Sequence, residues 1–456
     1  MPKIIIREKD LTTNPIIDDT AFAVVVPGFF NNNKSGGNDN PYNKSENIFD
    51  DNGIFETNST TEFVKKVGMV PAAEFEVNNT LIPAHYGNQI AYELLELGYT
   101  ILYVNLGGVQ VDPINYKIVG TSEAKAGYDA LTGTTSSLFE PLKDKANYRF
   151  RYLVTGLLEN NTQANKNILA IASRNEDSTD ELENGRGDCI ALIDIGDDIF
   201  TTVDYTSISK KITYIGEEAN KYYNLGGKYA GIFAPSLCLD LPTNKEYLDN
   251  NKFPASFYYL ACAAYSRNYS NFAEWYAVAG LTRGICKYKV ISTTIKLGES
   301  AVYALEPRVP QSIGYNDSME EITLKASLNL IIKIRDNYYL WGNRTAHELT
   351  DEDLKASHFL NIRQLCCSIK KDVYDACKKF TFDPNSDVLW VNFCNAIRPT
   401  LEAMKADQGI QDYSIIKIEA GRAELKALVR IVPIEAVEDF DITVTLEDSI
   451  GTTISE

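Results

Sequence analysis

Apolar residues along this chain fall into two patterns, unbroken runs and helical stripes. Runs closed by glycine or proline predict strands buried on both faces. Ala21-Phe22-Ala23-Val24-Val25-Val26-Pro27-Gly28 is one, and Thr100 to Leu106 is another. Asn167–Ala172 and Cys189–Asp194 read as two more strands of the same sheet, with a charged, exposed connection from Glu176 to Gly187. Ile90, Ala91, Leu94, Leu95 and Leu97 recur at helical spacing, and Gly98 stops that helix. A strand–helix–strand order predicts an α/β layer.

Other stretches are less apolar. Residues 31–58 are rich in Asn, Gly, Asp and Ser and predict a long polar loop. From Gly107 to Arg149 the text is polar and turn-rich, leaving room for an inserted subdomain over 107–150. Lys287 to Leu305 alternates as a strand does, and Leu324 to Ile334 is strongly apolar. From Phe359 the pattern turns helical, with Ile362, Leu365, Cys366, Ile369, Val373, Tyr374 and Cys377 three or four residues apart. A second helix is expected from about Val388 to Met404. Ile415–Glu419 and Leu425–Pro433 then read as strands, and Phe440–Glu447 alternates cleanly.

The two ends stand apart. Ile4, Ile5 and Ile6 near one end, and Phe440, Ile442, Val444 and Leu446 near the other, are β-prone segments set off by polar residues. Lone strands are weak as monomer structure and hazardous as free edges, but they make sense as strands added to a neighbour's sheet. The expected organisation is an arm over 1–20, an outer α/β region over 21–330, a C-terminal inner domain over 331–437 and a second arm over 438–456.

Composition narrows the function. With 44% hydrophobic and 23% charged residues the chain reads as a globular protein able to bury several cores. A net charge of −18 argues against nucleic acid as the main partner, since phosphate binding needs a basic field. No apolar run reaches membrane-spanning length, and the first eight residues are too short a stretch for a signal peptide. The eight cysteines sit in hydrophobic text without a CxxC pair, so reduced, buried thiols are expected; Cys366, Cys367 and Cys377 lack zinc spacing. Gly185-Arg186-Gly187-Asp188 contains an adhesion-type tripeptide in an acidic loop, which without export has no adhesive meaning. His85, His347 and His358 form no metal motif, and no nucleophile elbow or phosphate loop occurs, so no catalytic, cofactor or metal residue is assigned. Asp351, Glu352 and Asp353 after Thr350 read as the first turn of a capped helix.

Three short elements follow in order within the C-terminal third. They are Leu340-Trp341-Gly342-Asn343-Arg344-Thr345, then Phe359-Leu360-Asn361-Ile362-Arg363-Gln364-Leu365, then Phe380-Thr381-Phe382-Asp383-Pro384-Asn385 with Leu389-Trp390 after it. Together they resemble the contractile tail sheath family of phages and related injection machines, whose members show "WGxRT", "xNxRRL" and "FEPN…LW" at these spacings. Upstream, Phe253-Pro254-Ala255-Ser256 and Trp275 to Gly284 are similar to a looser family segment. Gln364 replaces the usual second arginine, Asp383 a usual glutamate, and Asp336-Asn337 stand where glycines are common. Residues 107–231 carry no resemblance. Read from the residues alone, Trp341, Arg344 and Trp390 are core packing around one buried ion pair, with Asp383 a candidate carboxylate for Arg344 or Arg363. Asp383-Pro384-Asn385 should end one helix and turn the chain into the next.

The resemblance implies an α/β (α+β), multi-domain structural subunit and no enzyme. It implies hexameric rings stacked helically around an inner tail tube protein, with baseplate and tail terminator proteins at the ends. It implies contraction that drives the tube through an envelope, no direct membrane insertion, and a place in a virion tail assembled in the host cytoplasm. Terminal arms of neighbouring subunits would complete the inner domain's sheet. Arg363, Lys370, Lys371, Lys378 and Lys379 outnumber Asp372 and Asp375 on one helix, and this basic face is expected to meet an acidic tube. Sequence alone leaves open a bacterial injection system or tailocin in place of a phage, an α/β enzyme built on the sheet over 100–194, and a surface-layer assembly protein.

Overall fold

The structure is a computed structural model. It describes residues 23–31, 49–70, 72–112, 117–134, 138–157, 161–174, 185–195, 220–223, 225–234, 236–240, 252–269, 273–293, 327–334, 337–347, 355–419, 421, 424–434 and 436. Both terminal arms, and residues 350–353, lie outside this set. No helix among the described residues is long and apolar enough to cross a membrane.

The first apolar run forms β1 (Val24–Asn31). Its first residues form an unbroken apolar run because they enter two different cores: Val24 and Val26 face one, Val25 and the preceding Ala23 the other. The chain continues through β2 (Ile54–Thr57), α1 (Thr60–Lys66), β3 (Glu74–Val77) and β4 (Thr80–Pro83). It goes on to α2 (Tyr86–Glu96), β5 (Ile101–Val111), β6 (Ile118–Gly120) and α3 (Ser122–Thr132), then to β7 (Tyr152–Leu153), α4 (Thr162–Ala172) and β8 (Ile190–Asp194). Next are β9 (Ala230–Ala234), β10 (Leu237–Asp240), β11 (Lys252–Phe253), α5 (Ala255–Tyr269), α6 (Gly280–Arg283) and β12 (Lys289–Thr293). The last part holds β13 (Leu328–Ile334), β14 (Asn337–Trp341), α7 (Leu360–Phe380), α8 (Asp387–Ala406), β15 (Ile410–Ile418) and β16 (Lys426–Pro433).

A nine-stranded sheet organises the body in the order β14-β13-β9-β8-β7-β1-β5-β2, with β6 on β5. From β13 to β5 every pairing is parallel; β14, β2 and β6 are antiparallel additions. Helices α2 and α5 supply Ile90, Leu94, Phe257 and Leu260 to one face. Helices α3 and α4 supply Ala124, Leu131, Ile168 and Leu169 to the other. This is the doubly covered α/β layer that the strand–helix–strand order predicts. The α2 helix can lie against β1 because Gly87 has no side chain; a Cβ there would sit 2.4 Å from the Pro27 carbonyl oxygen.

The structure departs from the sequence reading in several places. Asn167–Ala172 is not a strand but the second half of α4, capped by Asn161, whose side chain accepts from the Ala164 amide. Its buried Ala164, Ile168, Leu169, Ile171 and Ala172 follow helical spacing once the preceding turn is counted. Part of the expected polar loop, Ile54–Thr57, is an edge strand on β5. Residues 107–150 carry the end of β5, β6 and α3, and Val109, Val111, Tyr128, Phe139 and Leu142 share a core with the central sheet. Residues 328–341 complete that sheet, so the chain leaves it only at α7, and the expected boundary at 331 falls inside β13. Gly185, Arg186 and Gly187 are buried, not part of an exposed connection.

Two buried titratable groups act on stability in opposite senses. His85, at the start of α2, has its ring 4.2 Å from that of Tyr86, and neither ring nitrogen has a hydrogen-bond partner among the described residues. Burial pulls its pKa down to about 4. Asp194, at the end of β8, accepts from the Ser256 amide at 2.7 Å and from its hydroxyl, capping α5. Burial pushes its carboxyl up to about 7 against those hydrogen bonds. Neutral His85 stabilises the fold at neutral pH, and that contribution is lost as pH falls from about 6.5 towards 4, because the unfolded chain then binds more protons. Asp194 works the other way, its contribution fading as pH rises from about 4 to 7.

Each group is therefore visible only by difference. Replacing His85→Phe should improve acid stability relative to neutral stability, the difference from wild type shifting by about 3 kcal/mol between pH 6.5 and 4. Asp194→Asn should do the reverse. Urea midpoints measured across that range test both, and a His85→Phe difference that does not vary with pH would overturn the assignment.

Candidate assembly unit and its buried seam

The described chain after 360 builds a third core of its own. Leu365, Ile369 and Ala376 of α7 meet Phe393, Ile397, Leu401 and Met404 of α8. Ile415, Val429 and Ile431 of the β15–β16 hairpin cover the same core. The unit is tied to the α/β body along one line, and the three sequence elements lie on or near it.

The first element is a junction. Gly342 follows β14 with φ +145, and a Cβ there would sit 2.9 Å from the Asn329 Cα. Asn343 holds the start of α7, its carbonyl accepting from Leu360 at 3.0 Å and its side-chain amide donating to Asn361 Oδ1 at 2.7 Å. Arg344 is buried with its guanidinium 4.6 Å from the Phe359 ring, and its backbone bridges Phe359. Thr345 Oγ1 donates to the Ser357 carbonyl at 2.8 Å. Trp341, by contrast, is exposed at the sheet edge. Asp383 does not pair with either arginine. It is exposed beyond the far end of the 21-residue α7, about 30 Å from the Arg344–Phe359 bridge.

The second element opens α7, which carries two buried stripes. One is apolar and faces α8; the other is polar and faces the sheet. Along the polar stripe Gln364 meets the Tyr259 hydroxyl, Cys367 lies on the Cys189 carbonyl, and Lys371 donates to the Asp188 carbonyl. Ser368 bonds Glu274 and accepts from Arg151 at 2.7 Å, while Arg151 and Glu274 form an ion pair at 2.7 Å. Arg149 and Asp375 continue the seam nearer solvent. Burial works against a charged Glu274, but the Arg151 guanidinium, with Ser368, outweighs it and holds the carboxyl below its ordinary range. Burial, with Glu274 nearby, pushes Asp372 up to about 6. Burial also lowers the Lys371 pKa, opposed by Asp188.

The adhesion-type tripeptide belongs to this seam. Arg186 pairs with Asp188 at 2.8 Å, donates to the Leu142 and Tyr148 carbonyls at 2.7 and 2.9 Å, and lies 4.4 Å from the Phe150 ring. It braces the strand end on which Lys371 rests. Alternating glycine and charge in the sequence pointed to a loop, and nothing in it marked a buried guanidinium.

The structure does not gather the five cations expected on one free face. Lys371 is buried, and Lys370 and Arg363 lie against the buried Tyr229 ring, 5.3 and 4.8 Å from its centre. Lys378 and Lys379 alone of the five are exposed. They precede the third element, where Phe382 stands fully exposed with φ +75, Asp383-Pro384-Asn385 turns the chain, and Ser386 caps α8. Asn385 ties this turn to the Glu424 carbonyl at 3.1 Å. Trp390 stacks on Phe393, with Lys417 over its ring.

The β15–β16 hairpin has one covered face. Its other face shows Ile416, Ile418, Leu428 and Val432, each more than a third exposed. Among the described residues neither outer edge of this two-stranded sheet is paired. The arm residues Ile4, Ile5, Ile6, Phe440, Ile442, Val444 and Leu446 lie outside the described residues, so the structure does not place them. Among the described residues no cluster of His, Cys, Asp or Glu could hold a metal ion.

No family model and no curated protein matches the sequence. Solved structures match the fold along nearly its whole length. A chain of the six-fold symmetrised baseplate of the anti-feeding prophage aligns with TM-score 0.52 and 13% identity over 98% of this chain and 99% of that one. A chain of the PVC sheath complex, an extracellular contractile injection system in its contracted state, aligns with TM-score 0.52 and 13% identity over 98% of both. A sheath tail protein from Desulfitobacterium hafniense aligns with TM-score 0.45 and 10% identity over 95% of this chain. The α/β fold is thus the one seen in a chain of the anti-feeding prophage baseplate and in a chain of the PVC sheath complex.

The seam should dominate the coupling between the two parts. Arg151→Ala leaves a buried carboxylate without its cation and should cost about 3 to 5 kcal/mol. Asp375→Ala removes a half-exposed pair and should cost less than about 1 kcal/mol. Chemical denaturation of the two variants measures both, and equal costs would sink the ranking.

Proposed function

We propose that this chain is the subunit of a contractile sheath, a structural protein that polymerises helically around an inner tube. The carrying observation is the whole-chain likeness to a chain of a contracted sheath complex, matched over 98% of each. The three C-terminal elements support it from a different direction, since they lie at the junction, on the helix and at the turn that build the small unit.

A subunit of this kind needs strong lateral ties and a weak grip on its tube. The open β15–β16 hairpin suits the first need. A two-stranded sheet is marginal alone, and its free edges accept further strands through main-chain hydrogen bonds. In this reading residues 4–6 and 440–446 of neighbouring copies add to those edges and join the copies into hexameric rings stacked helically. The second need falls to Lys378 and Lys379, with the turn at Phe382 beside them. Two exposed cations against an acidic tube give a salt-sensitive contact that releases easily. Baseplate and terminator proteins cap the polymer, which belongs to a tail assembled before contraction. Energy for contraction is stored in subunit packing, so the mechanism asks for no catalytic group, cofactor or metal.

Expressed alone, the full chain should form hollow tubes with a helical repeat in negative-stain electron microscopy. A monodisperse monomer at all salt and protein concentrations, with or without an inner tube, would sink the sheath reading. Deleting residues 1–20 or 438–456 should abolish polymers and leave the monomer's melting curve nearly unchanged. Polymers at normal yield from either truncated chain would refute strand exchange while leaving the sheath reading intact. Lys378→Glu with Lys379→Glu should weaken tube-dependent assembly, most at low salt; unchanged assembly would remove these residues from the tube contact.

A further inference from the structure

The small C-terminal unit shows apolar side chains on two separate surfaces. The first is the turn from α7 into α8. Phe382 is fully exposed there, on a backbone of φ +75 that a bulky residue rarely adopts. Val388 and Val391, each more than half exposed, lie on the arc of α8 turned away from the buried Phe393, Ile397 and Leu401. An aromatic ring held out in solvent on such a backbone adds nothing to the packing of its own copy, and strain of this kind is kept where a contact uses it. Beside the ring the turn is acidic, with Asp383 and Asp387 both exposed.

The second surface is the face of the β15–β16 hairpin that looks away from the same core. Antiparallel pairing sets Ile416 opposite Leu428, Ser414 opposite Arg430 and Ile418 opposite Lys426. Leu428 therefore stands between two cations at alternate positions of β16, all on one face and all exposed. This face is apolar along its middle and basic at its flanks, and the turn is apolar at Phe382 and acidic at its flank. The two surfaces match in both respects, yet within one copy they do not meet, since the Phe382 side chain is wholly in solvent.

We propose that the turn of one copy docks on the hairpin face of a second copy, with Phe382 seated between Ile416 and Leu428 and Asp383 beside Arg430. The contact joins two different surfaces, so every copy keeps one of each to offer. Repetition then extends it into a ring or a helix and does not stop at a dimer. Side chains make this contact on the face of the two-stranded sheet, and its edges stay open to added strands. Neither Lys378 nor Lys379 takes part. The contact needs only copies of this chain and does not rest on the sheath reading.

The full chain carrying the photoreactive amino acid p-benzoylphenylalanine at position 382 tests it. That chain is mixed with isotope-labelled wild-type chain over a range of concentrations, irradiated, digested and read by mass spectrometry. Adducts should join position 382 to labelled peptides that hold Ile416 or Leu428. Ile416→Ser in the labelled copy should cut their yield about tenfold, as loss of an apolar anchor does. Asp383→Lys beside the probe, or Arg430→Glu in the labelled copy, should each lower the yield, and the two together should restore it. These positions are exposed, so melting curves should stay unchanged. Adducts confined to one copy, to other segments or to an inner-tube protein added to the mixture would overturn the proposal. So would the absence of any adduct at the highest concentration reached. Hollow tubes without the labelled adduct would remove this contact and leave the sheath reading standing; the adduct without tubes would do the reverse.

Discussion

A charge buried at the meeting of two structural units must be paired, and in this chain that requirement falls on Arg151. Its guanidinium sits at the start of β7, almost wholly shielded, against Glu274 and the Ser368 hydroxyl. Leaving either ion alone would cost far more than any exposed contact returns. Helix α7 therefore has little freedom in rotation or register. Ser368 must face Arg151, which places Gln364 on Tyr259, Cys367 on the Cys189 carbonyl and Lys371 on the Asp188 carbonyl. The opposite face of the same helix is then turned towards α8 and the hairpin.

This coupling bears on how the two units of the chain act on each other. Force applied to the small C-terminal unit passes to the α/β sheet through buried ionic and hydrogen-bonded contacts. The Asn343 and Arg344 junction adds a second tie at the helix start. The weaker places lie elsewhere, in the hairpin edges, which are unpaired among the described residues, and in the exposed turn at Phe382. In the sheath proposed above, rearrangement between copies uses those surfaces while each body stays whole.

Much of the architecture was legible in residue patterns. The β1 run, the α2 stripe, the two long C-terminal helices and the hairpin strands stand where the periodicities put them. Asn167–Ala172 forms a helix where a strand is expected because the five apolar residues from Ile168 to Ala172 suit a buried strand as well as the inner turns of a buried helix, and the cap at Asn161 lies outside the run. The basic stripe on α7 misled for a different reason. Lysine and arginine spacing gives their angle around the helix, but not which arc another element covers. Lys371 and Arg363 therefore read as solvent-facing when one is buried and the other lies on Tyr229. Arg186-Gly187-Asp188 read as loop because its partners, the Leu142 and Tyr148 carbonyls, are about forty residues away.

The sequence by itself determined the local elements and the order of the C-terminal motifs, because periodicity, caps and turn residues act over a few positions. It also made the chain acidic and free of recognisable catalytic spacing. Only the tertiary structure decided which charges are buried and that Asp383 stands far from the arginines it was matched with. These are contacts between segments separated by tens to hundreds of residues. Their energies depend on desolvation, which no single position carries until the chain has closed around it.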